Sequence, residues 1–147
     1  MAEVKEIDID ELKEYENNPR RNDRAVQPVA NSLKKFGFLN PIIVNKDMVI
    51  LAGHTRLKAA KENGLRKVPV IVVDDMTEDQ EKAFRLADNR VAELSTWDEK
   101  KLKEEMAELD EDDWSDFGVS DRELKKYEPD SDELVCPKCG CRFTEQQ

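Results

Sequence analysis

The sequence predicts a small α/β domain, a helical extension and a short cysteine-bearing tail. Three observations predict it. Short apolar runs alternate with stretches of helical periodicity as far as residue 97, which suits a small mixed sheet flanked by helices. Acidic residues then concentrate between residues 98 and 133. The three cysteines all lie between Cys136 and Cys141, so no disulfide framework braces the fold. The expected boundaries are a domain over 1–97, an acidic helical extension over 98–127, a linker over 128–133 and a tail over 134–147.

Each element has its own signal. Val4–Ile9 alternates apolar and charged residues, as an edge strand does. Asn18-Pro19-Arg20-Arg21 is a turn with basic residues after it. Asp23 is placed to cap a helix running to Phe36, with Val26, Val29, Ala30, Leu33 and Phe36 at helical spacing and Gly37 as the stop. Pro28 falls in the early turns of that helix, where its missing N–H costs least. Pro41–Val44 and Met48–Leu51 read as strands joined by the tight turn Asn45-Lys46-Asp47. A helix follows Gly53 and stops at Gly64. Val68–Val73 is a β-branched run typical of a buried strand. Thr77 and Gln80 form a capping box for a helix carrying Ala83, Leu86, Ala87, Val91 and Leu94 as its apolar set. Asp98 caps another helix, with Leu102, Met106 and Leu109 on one face. Trp114, Phe117 and Val119 are expected to return to the core before a last short helix near Asp121–Tyr127. Pro129 and its acidic neighbours mark the linker.

Composition bounds the function. Hydrophobic residues make up 38% and charged residues 39% of the 147-residue chain, so the core is small and the surface heavily charged. No apolar run approaches membrane-spanning length and no signal-peptide pattern opens the chain, so the expected location is cytoplasmic and no membrane partner is expected. The net charge of −10 is unevenly spread. Residues 98–133 hold 16 acidic and 6 basic residues, whereas residues 17–67 hold 11 basic residues against Asp23, Asp47 and Glu62. The basic stretch, net +8 by this count, favours a polyanion such as DNA despite the low overall pI. The same count also fits helix faces that are simply lysine-rich.

That basic stretch surrounds the central turn, Val49–Gly64. A strand that ends in glycine and feeds directly into a helix leaves unpaired N–H groups at the helix start, and these favour an anion. Gly53, His54, Thr55 and Arg56 occupy this first turn, and the three side chains can all donate to a phosphate or carboxylate. A basic residue is unfavourable at a helix N-terminus, so Arg56 suggests a negative ligand. The residues equally fit a surface turn whose arginine is only solvated. His54, the sole histidine, suits either a ligand contact, with acid–base capacity, or a buried structural role.

Three stretches together resemble one family: Phe38–Val44 (FLNPIIV), Ile50–Ala60 (ILAGHTRLKAA) and Leu86–Arg90 (LADNR). In this order they are similar to the ParB N-terminal domain of the ParB/sulfiredoxin superfamily, and most of all to the short "ParB-like nuclease domain" proteins of phages and mobile elements. The resemblance implies a compact ParB/sulfiredoxin-like α/β domain over about residues 4–97. It implies that Gly53, His54, Thr55 and Arg56 hold the phosphates of a ribonucleoside triphosphate, with Asn40 and Pro41 beside the base or sugar. Asp88 and Asn89 would complete the site through Mg²⁺, and Asn18 and Arg20 would form its basic rim. The chain departs from the partition-protein pattern, which has an acidic residue and an arginine at positions 54 and 55 and a further arginine at Ala92. The segment after Trp97 is expected to be too acidic to stand in for the helix-turn-helix of those proteins. Sulfiredoxin chemistry needs a cysteine in the central turn, where there is none. Ala52 and Thr55 depart from the related serine-kinase pattern, for which Glu16 would be the base.

The CPxCG pattern at Cys136 and Cys139 resembles a zinc knuckle, with Cys141 as a third ligand. A closed tetrahedral site needs four, so the tail either shares zinc with another chain or is a degenerate knuckle. The leading functional expectation is a nucleotide- or phosphate-binding, DNA-associated accessory protein of a phage or mobile element, with a homodimer as one possible state. The alternatives are a non-catalytic docking module for a DNA methyltransferase or another phage protein, and a nuclease or small-molecule phosphotransferase.

Overall fold

A computed structural model describes residues 3–108, 114–119, 133–135 and 142–144. Two compact units are present: residues 1–96 together with 115–118, and residues 97–114 together with 119–147.

The first unit is built on a four-stranded sheet. Its strands are β1 (Val4–Asp8), β2 (Ile42–Asn45), β3 (Ile50–Ala52) and β4 (Lys67–Val73), in the spatial order β1-β4-β2-β3. β1 pairs antiparallel with β4 at the sheet edge, β4 pairs parallel with β2, and β2 pairs antiparallel with β3 through an irregular register. Pairing between β2 and β4 begins at Val70, one residue past Pro69, whose missing N–H could not serve a ladder on that side. Ile42, Val44, Ile50, Val68 and Val70 are fully buried, and Leu57 and Ala60 cover them from the helix α2 (His54–Glu62). Ile9 and Leu12 close the core.

α1 (Asp23–Phe36) packs beside α2, and Asn63 Nδ2 ties the two by donating to the Ala30 carbonyl at 2.9 Å. Asn22 rather than Asp23 occupies its N-cap position, without a side-chain cap bond. Asp23 instead lies 3.4 Å from Lys58 of α2. Pro28 sits inside the helix as its sixth residue, beyond the first turn that excuses its missing N–H. Its ring lies where a side chain on Gly118 would have to go, 3.2 Å from an ideal Cβ. Residues 115–118 dock there: Asn31 Nδ2 donates to the Asp116 carbonyl at 2.8 Å and the Phe117 ring lies 5.7 Å from that of Phe36. Phe117 thus joins this unit, but on an α1 residue that stays half exposed and outside the core, while Trp114 and Val119, expected to return with it, belong to the second unit.

The β2–β3 turn is shaped by Asn45, whose Oδ1 accepts from the N–H groups of Asp47 and Val49. Met48 takes a φ of 63° in this turn. A left-handed residue cannot extend a strand, so β3 starts at Ile50 and not at Met48. α3 (Glu78–Leu94) opens with the capping box of Thr77 and Gln80. Its apolar set corrects an expectation. Leu86, Val91 and Leu94 are 60%, 63% and 67% exposed. The helix turns its other side inward, with Arg85 buried and Phe84 and Asn89 partly so.

In the second unit, α4 (Glu99–Glu108) starts where Asp98 Oδ1 accepts from the Lys101 N–H. β5 (Glu133–Val135) and β6 (Arg142–Thr144) pair antiparallel. Glu133, assigned above to the linker, is therefore the first residue of a strand. Cys136, Cys139, Cys141 and the helix expected near Asp121–Tyr127 lie outside the described residues.

Candidate functional site

Gly53 carries the site. It joins β3 directly to α2 with φ 112° and ψ 24°, a conformation that glycine adopts without strain. The first helical bond runs from the Leu57 N–H to the Gly53 carbonyl at 2.9 Å, and no side chain caps the helix. The N–H groups of the first turn therefore lack helical partners and point positive partial charge outward.

Arg56 folds back across this glycine. An ideal Cβ at position 53 would stand 3.2 Å from Arg56 Nε, 3.3 Å from its Nη2 and 3.2 Å from Ile42 Cγ1. Replacement of Gly53 by alanine would thus add backbone strain to a clash with a packed side chain. The expected loss is about 1–3 kcal/mol, read as a lower midpoint in urea denaturation. An unchanged midpoint would show that the turn relaxes freely.

The other edge of the Arg56 guanidinium is engaged. Nη1 donates to both the Asn40 and Pro41 carbonyls, each at 2.9 Å, and so fixes the chain entering β2. Burial lowers the Arg56 pKa and the charge of Asp88 opposes that shift.

A cleft of about 510 Å³ opens above this turn. Asn18, Arg20, Asn40, Gly53, His54, Thr55, Arg56, Asp88 and Asn89 all line it, together with an apolar wall from α1 that includes Val29, Leu33 and Phe36. Residues from five separate segments of chain thus converge. Pro41 contributes through its carbonyl to Arg56. Glu16 lines a different cavity, beside Tyr15, Asn45 and Glu81, so the structure does not place it with His54.

Arg20 crosses the cleft mouth. Its N–H is held by Asn18 Oδ1 at 3.2 Å, and its Nη1 donates to Asn89 Oδ1 at 2.6 Å. Asn89 is oriented in turn by its Nδ2, which donates to the Arg85 carbonyl at 2.7 Å. The partner is a neutral amide, so the Arg20 charge stays uncompensated by it. Asp88 is the carboxylate among the cleft-lining residues, and one or two carboxylates with substrate phosphates suffice for Mg²⁺.

His54 is buried, and its Nε2 accepts from the Tyr15 N–H at 3.3 Å. A neutral ring that accepts at Nε2 carries its proton on Nδ1. Burial lowers its pKa from 6.5, Glu14 opposes, and Arg85 and Lys58 add to the lowering. The unfolded chain therefore binds this proton more readily than the folded one. The resulting stability is intact above pH 6.5 and is lost as pH falls through the folded-state pKa. Unfolding of wild type and His54→Gln at pH 7.5 and pH 5 checks this: the wild type should lose more stability on acidification than the variant.

A buried polar cluster escapes the sequence reading. Arg85 Nε donates to the Ile50 carbonyl at 3.1 Å, Nη2 lies 3.4 Å from Glu81 Oε2, and the guanidinium carbon stands 4.0 Å from the Tyr15 ring centroid. Asn45 Nδ2 donates to both Glu81 oxygens at 3.1 Å. The one sequence signal was the Glu81/Arg85 spacing of four residues.

Comparison with known proteins shows the family. A model of the ParB N-terminal domain matches residues 1–90. The chain belongs to the ParB N-terminal domain family. The ParB-like nuclease domain-containing protein YnaK of Escherichia coli K12 is 35% identical over 75 residues, which are 50% of this chain and 86% of YnaK. A probable chromosome-partitioning protein ParB of Campylobacter jejuni is 36% identical over 73 residues, 46% of this chain and 26% of that protein. This ParB-domain chain thus spans about a quarter of such partitioning relatives. Among solved structures, Caulobacter crescentus ParB complexed with CTP-γ-S aligns with a TM-score of 0.63 and 21% identity, covering 85% of this chain and 70% of that one. The same protein complexed to the centromeric parS site aligns at 0.50 with 22% identity, covering 84% and 70%. At these identities the likeness concerns the ParB fold.

Proposed function

We propose that this chain is a nucleotide-binding, DNA-associated accessory protein that uses its ParB N-terminal domain as the nucleotide site. The observation that carries the reading is the single cleft uniting Asn18, Arg20, Asn40, Gly53–Arg56, Asp88 and Asn89. The neighbour bound to CTP-γ-S and the one bound to parS DNA support it. The unpaired first-turn N–H groups, Thr55, Arg56 and Arg20 would take the phosphates, and the apolar α1 wall would face the base or sugar. Asp88 would hold Mg²⁺ against the phosphates, where the ion neutralises charge. His54 would contribute through the helix turn it anchors rather than through Nε2. Service to a phage or mobile element, and self-association as a homodimer, belong to this reading, as does a zinc role for Cys136, Cys139 and Cys141.

Thermal unfolding with CTP and Mg²⁺ tests it. A ligand at a hundred times its Kd should stabilise the fold by about 2.7 kcal/mol, seen as a rise in Tm. No rise with any ribonucleoside triphosphate would remove the nucleotide.

A second reading is favoured by the exposed apolar face of α3. Leu86, Val91 and Leu94 form a stripe suited to a protein partner, such as the DNA methyltransferase of a docking module.

A further inference from the structure

We propose that Arg85 and Tyr15 are positioning residues that set the α3 wall of the cleft and, through Asn89, aim Arg20 at the ligand. This rests on the nucleotide-site reading above.

α3 supplies Asp88 and Asn89 to the cleft, yet its apolar residues Leu86, Val91 and Leu94 face outward. Among its large apolar residues Phe84 is the one that turns partly inward, so hydrophobic burial fixes its rotation only in part. The polar pin does the rest. The Arg85 guanidinium, 7% exposed, reaches the Ile50 carbonyl of β3, meets Glu81 one turn back, and has its carbon 4.0 Å from the Tyr15 ring centroid. A planar fork held through Nε and Nη2 beside an aromatic ring restricts the orientation of the helix in a way that a lysine would not.

The pin is continuous with both walls of the cleft. On one side the Tyr15 N–H donates to His54 Nε2 in the first turn of α2. On the other, the Arg85 carbonyl accepts from Asn89 Nδ2, which turns Asn89 Oδ1 toward Arg20 Nη1. The tyrosine hydroxyl has no part in this path; the ring has. Loosening the ring–guanidinium contact should let Asn89 reorient and release Arg20 from the cleft mouth, leaving the ligand-facing groups chemically intact.

The test compares wild type with Tyr15→Phe, Tyr15→Ala, Arg85→Lys and Arg20→Ala, and with the Tyr15→Ala/Arg20→Ala double variant. CTP with Mg²⁺ is the titrant, at a temperature where circular dichroism shows every variant folded. Tyr15→Phe should bind as wild type, while Tyr15→Ala and Arg85→Lys should bind about tenfold more weakly. Arg20→Ala should weaken wild type yet cost almost nothing further in the Tyr15→Ala background, because residues that share one path are not additive. Equal cost of Arg20→Ala in both backgrounds, or wild-type binding by Tyr15→Ala, would overturn the proposal. The ligand-free ¹H–¹⁵N resonances of the Asn89 side-chain amide supply a second readout, which also serves if Tyr15→Ala fails to fold. They should shift in Arg85→Lys and stay in place in Tyr15→Phe; an unmoved signal in Arg85→Lys overturns the proposal. If no triphosphate binds the wild type, the nucleotide reading falls, and the Asn89 signal still decides whether the pin positions the wall.

Discussion

Arg56→Ala should lower triphosphate affinity by tens-fold or more and lower the melting temperature as well. A first-turn arginine that is only solvated would carry little weight in the fold. The structure adds a structural duty, because Arg56 Nη1 holds the Asn40 and Pro41 carbonyls at 2.9 Å each. Hydrogen bonds from a charged donor contribute about 1.5–3 kcal/mol each, and the two carbonyls lose their partner together. The segment they fix is the one that brings Asn40 to the cleft, so affinity falls both through charge and through the floor of the site. Arg56→Lys keeps the charge but not the fork, and should recover part of the affinity with less of the stability. Titration calorimetry and thermal melts measure both effects. Wild-type affinity in Arg56→Ala would remove Arg56 from the site, and an unchanged Tm would contradict its hold on the β2 entry.

DNA binding should be weak and should collapse with salt. The 17–67 surface is net +8 and residues 98–133 are net −10 by the counts above. Where basic groups neutralise about six phosphates, affinity falls roughly a thousandfold between 50 and 200 mM salt through counterion release. If the acidic extension leaves the basic face open, the full chain should show this dependence and deletion of 98–147 should change affinity little. If the extension covers that face, only the truncated protein should bind. The first result is the expected one. The deletion also removes residues 115–118 from α1, where Phe117 meets Phe36, so a lower Tm should accompany it. A gel-shift titration at the two salt concentrations separates the cases. Absence of binding by either protein removes DNA from the function and moves the docking reading forward.

What the sequence disclosed follows from which residues act locally. Gly53 has to be glycine for a backbone reason, and the strand–glycine–helix pattern shows it without any tertiary knowledge. The capping box at Thr77 and Gln80 is likewise closed within four residues. α3 is the counter-example. Its periodicity is real, but periodicity says only that one face differs from the other, and the inward face is the one with Arg85. A buried arginine is readable only when its distant partners Tyr15 and Ile50 are known, and these come from separate elements. His54 teaches the same lesson: its neighbours in sequence suggested a ligand contact, whereas the partner of its Nε2 is 39 residues away. Arg20 and Asn89, 69 residues apart, were each legible as members of a family motif, but their direct contact was not.

The most direct test of the central claim is calorimetric titration of the full chain with each of the four ribonucleoside triphosphates in Mg²⁺. The account predicts saturable one-site binding of at least one of them, CTP foremost, with affinity lost in Arg56→Ala. Failure of all four to bind the folded wild-type protein, or binding that persists unchanged in Arg56→Ala, would contradict it.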